Sequence, residues 1–74
     1  MFDIEGAKIR IQKRRLELGY SRRYVADQMG VSSNSVVKWD DLKTFPGNFP
    51  TIDHLVELCE VLETTPNYIL LGKE

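Results

Sequence analysis

The sequence predicts an all-α domain of five helices. Three observations lead there. Apolar residues recur at three- and four-residue spacing along most of the chain, and no segment alternates as a strand does. A serine or threonine heads four of the apolar segments (Ser21, Ser32, Thr51 and Thr65), where its hydroxyl can accept from the unpaired amides of a first helical turn. Glycines stand where helices should stop, at Gly19, Gly30 and Gly72.

The elements follow in order. Ile4, Ala7, Ile11 and Leu18 give a first helix from about Asp3 to Leu18, closed by Gly19. Ser21 caps a second, which carries Val25, Ala26 and Met29 and ends at Gly30. Ser32 caps a third, running to about Asp40 with Val36 and Trp39 inward. "DLKTFPGNFP" holds two prolines and a glycine, so it reads as a loop. Thr51 caps a fourth helix over about 51–62, with Ile52, Leu55, Leu58, Cys59 and Leu62 as its apolar stripe. Thr65, with Pro66 at the first helical position, starts a short fifth over about 66–71.

Residues 1–74 are read as a single domain, one that buries only about 60% of its unfolded surface. That size favours a binding module over an enzyme cleft. No nucleophile–base pair, phosphate-cradling glycine loop or carboxylate pair stands out, so no enzyme and no cofactor are expected. His54 has no partner at metal spacing and reads as a solvated helix residue, so no metal is expected either. Cys59 is a single cysteine on an apolar stripe, so it reads as core. With no internal disulfide possible, a reducing, cytoplasmic setting fits. No apolar run is long enough to span a membrane, and "MFDIEGAK" does not resemble a signal peptide.

Charge is unevenly placed. Met1 to Lys38 holds eight Lys/Arg against four acids, and Trp39 to Glu74 holds two lysines against seven, for a net charge of −1. One basic face that could meet phosphates and one acidic face turned away would produce this asymmetry. Two solvated faces would produce it too.

Arg22 to Trp39 carries the sharpest motif. Ala26 is small where two helices approach, and Gly30 lets the chain turn four residues later. Val25, Met29, Val31, Val36 and Trp39 lock the two helices at a wide angle. This is the helix-turn-helix pattern, over about 21–40.

Here the sequence resembles the lambda-repressor-like helix-turn-helix domains of the Cro and Xre type. "AKIRIQKRRLELGYS" resembles the family's first helix, "SRRYVADQMGVSSNSVVKWD" its paired helices, and "PTIDHLVELCEVLETTPNYILLG" its last two. The resemblance covers nearly the whole chain. It implies a compact five-helix fold and operator binding as a homodimer, most often in repression, in phages and bacteria.

In such domains the second helix of the motif enters the major groove, N-terminal end toward the base edges. Ser32, Ser33, Asn34 and Ser35 are short and polar there, and asparagine can pair bidentately with adenine. Lys38, one turn on, can reach a guanine or a phosphate, and Val37 a thymine methyl or a protein. Ser21, Arg22 and Arg23 head the second helix, where amides and partial positive charge attract phosphate. Lys43 and Thr44 could grip the backbone from the loop, and Arg10 from the first helix. Arg14 or Arg15 could instead tie an acid such as Glu60 or Glu63, and for Arg15 that structural role is preferred.

The sequence departs from the family pattern in four places. Arg22 stands where glutamine is usual. Asp41-Leu42 replaces an Asn-Gly turn, and the loop to Pro50 is longer. Asp40 and Asp41 would repel DNA unless Asp40 is tied up inside the protein. Val37 is apolar on the reading face, and Phe2, Ile9 and Leu16 form a second apolar stripe on the first helix. That stripe, with Tyr68 and Leu71, either packs inward or meets a protein. So a second function is kept: an antirepressor or corepressor that binds another helix-turn-helix regulator.

Overall fold

The computed structural model describes residues 3–73. Five helices form: α1 (Ile4–Glu17), α2 (Arg22–Met29), α3 (Ser33–Asp40), α4 (Ile52–Val61) and α5 (Pro66–Leu71). No strand forms among the described residues. The local chemistry accounts for the starts. Ser21, Ser32, Thr51 and Thr65 each accept from the backbone N–H three residues on. Each cap satisfies one of the amides that a helix start leaves unpaired.

The turn of the motif depends on Gly30. Its φ is +72°, left-handed, and its N–H closes onto the carbonyls of Ala26 and Asp27. A Cβ there would meet no neighbour within 4 Å, so a side chain would be opposed by the backbone conformation alone.

α1 packs on α3 and α5, α2 on α3 and α4, and α4 on α5. The core between them holds Ala7, Ile11, Val25, Ala26, Met29, Val36, Trp39, Leu55, Leu58, Cys59, Leu62 and Ile69. Ala26 sits buried in α2, which packs on α3, as the motif requires. Two readings need correction. Ile52 leaves the apolar stripe of α4 and is 77% exposed, because it lies in the first turn at the rim of the domain. His54 is half-buried rather than solvated: its ring lies 5.3 Å from that of Trp39.

Cys59 is core, and burial pushes its thiol up from the ordinary 9.0 to about 11. The raised value contributes stability that is fully present below pH 9 and lost as pH rises to about 11. At pH 8, alkylation of Cys59 by iodoacetamide is expected to proceed only through global unfolding. A labelling rate faster than unfolding measured by denaturant jump would contradict this.

Basic side chains of α1 hold the bundle together. Arg10 donates from Nε to the Ile69 carbonyl (2.8 Å) and from Nη2 to that of Leu70 (3.1 Å). Arg14 donates to the carbonyls of Leu62 (2.8 Å) and Glu63 (3.0 Å), where Glu63 takes a left-handed φ of +54°. Each arginine thus meets the negative end of a neighbouring helix and occupies carbonyls left open there. Arg15 is a structural tie as expected, but its partner is Asp40, not Glu60 or Glu63. Its Nε donates to Asp40 Oδ2 at 3.0 Å, and its Nη1 to the Tyr20 carbonyl.

Candidate nucleic-acid interface

The N-terminal half of α3 presents its polar side chains outward. Ser33 and Asn34 are exposed and lie in the first turn. Ser32 is also exposed, but it is the cap: its Oγ accepts from the Ser35 N–H and lies 3.1 Å from Ser35 Oγ. Ser35 is half-buried beside it. Val36 and Trp39 anchor the opposite side of the helix in the core. The helix therefore cannot roll without exposing them, and Ser33 and Asn34 are held to solvent.

One turn on, Lys38 is exposed, and its ammonium stands 5.9 Å from the centre of the Phe45 ring. At that distance the ring face attracts the cation and restrains a long side chain. Val37 is half-buried, so less of it is offered to a ligand than its position on the reading face suggests.

The head of α2 is the second part of the surface. Ser21 Oγ accepts from the Tyr24 N–H at 3.0 Å, and Arg23 is exposed. Arg22 reaches across to α3: its Nε donates to Asp40 Oδ1 at 2.9 Å while the side chain keeps 36% exposure. Asp40 is thus clasped by Arg15 and Arg22 and fully withdrawn from solvent. The repulsion expected from one of the two neighbouring acids is removed in this way.

The loop supplies the third part. Lys43 and Thr44 are exposed, and their N–H groups donate to Asp41 Oδ1 at 2.8 and 3.2 Å. Those donors hold the Asp41 carboxyl below its ordinary range, the Lys43 amide contributing most. Asp41 is a turn-former here, which is the work that the Asn-Gly pair does in the family pattern.

Arg10 is the predicted phosphate residue that the structure places elsewhere. Its guanidinium is fixed on the end of α5, beside Gly72, and not with the head of α2. The predicted protein-contact residues separate. Ile9, Leu16 and Leu71 are 44%, 61% and 57% exposed, whereas Tyr68 is half-buried. Ile9 and Leu16 line a shallow trough with Gln12, Lys13 and Glu17. Phe2 lies outside the described residues.

Lys8 was missed by the sequence reading. It is wholly buried, and its ammonium donates to the carbonyls of Lys38, Phe45 and Asn48. Its signal was available: Ile4, Lys8, Ile11 and Arg15 share one face of α1 at helical spacing.

Among solved structures, this chain matches the P22 c2 repressor protein in complex with synthetic operator 9T, crystallised in the presence of Tl+. The two share 27% sequence identity with a TM-score of 0.76, over 90% of this chain and 96% of that one. The chain has the fold of that repressor's helix-turn-helix domain. No family model and no curated protein matches it. In this fold the outward face of α3 with its cap, the head of α2 and the loop 41–44 are the elements on which eleven of the expected contact residues stand exposed or half-buried: Ser21, Arg22, Arg23, Ser32, Ser33, Asn34, Ser35, Val37, Lys38, Lys43 and Thr44. Among the described residues no helix is long and apolar enough to cross a membrane.

Proposed function

We propose that this chain is a sequence-specific DNA-binding repressor that reads an operator through the major groove. The observation that carries the reading is the match, over nine-tenths of the chain, to a repressor solved on its operator. The chemistry of the matched surface supports it. Asn34 and Ser33 are presented for base edges, Ser32 and Ser35 form the cap beneath them, and Lys38 stands one turn on. Val37 offers a partly covered methyl surface to a thymine. Ser21, Arg22, Arg23, Lys43 and Thr44 flank the helix with phosphate donors. Arg10 is not among them.

Two copies acting as a dimer would place their α3 helices in successive major grooves, about 34 Å apart. The task is binding rather than catalysis, and its setting is the cytoplasm. Asn34→Ala is expected to cost about 1–3 kcal/mol on the preferred site and to relax selectivity at one base pair. Fluorescence anisotropy against an operator and its single-base variants measures both. Equal weakening on every sequence would remove Asn34 from base reading.

The exposed Ile9, Leu16 and Leu71 keep one alternative in view, a domain that acts by holding another regulator. A titration of the isolated chain separates the two. Tight binding to DNA without any partner excludes the alternative.

A further inference from the structure

We propose that Lys8 is a positioning residue for DNA binding, which locks the loop 41–50 to the end of α3 and so sets where Lys43, Thr44 and Lys38 meet the DNA backbone. The proposal rests on the DNA-binding reading above. Its observations are geometric. Lys8 projects from α1, two helices away in sequence from the elements it holds. Its ammonium donates to the Lys38 carbonyl in the last turn of α3, to the Phe45 carbonyl at 2.8 Å and to the Asn48 carbonyl at 2.6 Å. An ammonium has three protons to donate, and here each finds one carbonyl. The side chain has no exposed surface at all.

Such a group orders the loop for a plain reason. "DLKTFPGNFP" carries two prolines and a glycine and forms no helix or strand, and Phe49 near its far end packs against the core. Two of its carbonyls are withdrawn onto a buried cation, and leaving without that cation would strand a desolvated charge. The third carbonyl belongs to Lys38. The residue whose ammonium stands over the Phe45 ring is therefore tied by its own backbone to the same point that ties Phe45. Lys43 and Thr44 stand between these anchors, shaped by Asp41. Burial opposes the charged form of Lys8, and Asp40 and Asp41 favour it, so the acids at the end of α3 help keep the clamp charged.

Lys8→Met tests this, since it keeps the stem and removes the three donors. Operator binding is measured against salt for wild type, Lys8→Met, Lys43→Ala and the double variant. Lys43→Ala is expected to lower the salt slope by about one per copy bound, and Lys8→Met by at least as much. The double variant is expected to lower it no further than Lys8→Met alone, because a released loop no longer delivers Lys43. Losses that add in the double variant would overturn the proposal, and so would an unchanged slope in Lys8→Met. Should Lys8→Met fail to fold, amide exchange in the wild-type protein decides. The Asn48 N–H, bonded to the Phe45 carbonyl at 3.3 Å, is expected to exchange as slowly as the core amides of α1. Exchange by local opening of the loop would overturn the proposal. A wild-type chain that binds no DNA defeats the proposed function, and this inference with it. A wild type that binds, with additive slopes, defeats this inference alone.

Discussion

Asp40→Ala is expected to lower stability by about 3–5 kcal/mol, read from the shift in the urea midpoint followed by circular dichroism. A domain of this length has on the order of 4–11 kcal/mol in total, so the change removes a large share of its stability. The reason is the arrangement of charge. Asp40 is completely buried, and Arg15 beside it keeps only 9% side-chain exposure. Removing the carboxylate leaves the Arg15 guanidinium buried with no counter-charge, and an uncompensated buried charge costs far more than the pair itself contributes. Arg22 counts for less. It keeps 36% exposure, so water screens its share and can take over part of its hydration.

The position of Asp40 explains why the fold places a triad there. It is the last residue of α3, where the helix dipole already disfavours a negative charge. Arg15 from α1 and Arg22 from α2 meet that charge from two sides. Three helices are thereby fixed at one point behind the reading face. A second variant separates charge from shape. Replacing Arg15 by methionine and Asp40 by leucine together is expected to cost much less than Asp40→Ala alone. If the double variant is as unstable as the single, hydrogen-bond geometry rather than stranded charge is what the triad supplies.

The fold was largely legible because its signals are local. A serine that caps a helix bonds three residues ahead, so Ser21, Ser32, Thr51 and Thr65 could be read from spacing alone. Gly30 needs only its own φ to act. The apolar period likewise reports on one helix at a time. The roles of the basic residues were less legible because their partners are distant. Arg10 finds its carbonyls 59 and 60 residues away, and Lys8 finds its own 30 to 40 away. Sequence spacing cannot say which helix end will lie within reach of a guanidinium. Three charges of α1 that could have been DNA ligands (Arg10, Arg14 and Arg15) are engaged with carbonyls and a buried acid. Asp40 shows the same limit from the other side, since its isolation from solvent follows only from the packing of α1 and α2 against α3.

Because α1 withdraws those charges, salt dependence becomes a quantitative test of the interface. The chain has a net charge of −1, so bulk attraction to DNA is weak and the response must come from placed cations. Arg22, Arg23, Lys38 and Lys43 are the candidates that keep exposed or half-exposed side chains on the α2–α3–loop surface. If two copies each set these four on phosphates, about eight contacts form and the slope of log affinity against log salt is about −7. Affinity for the operator is then expected to fall roughly 10⁴-fold between 50 and 200 mM salt. Two variants check the assignment within the same experiment. Arg23→Gln is expected to reduce the slope by about one per copy bound while the melting temperature stays unchanged. Arg10→Gln is expected to do the reverse, because its guanidinium serves the end of α5: the melting temperature falls and the slope holds. A slope change on Arg10→Gln equal to that on Arg23→Gln would return Arg10 to the phosphate surface. A slope near zero for the wild type would mean that this basic surface does not meet DNA, and that Arg22 serves Asp40 alone.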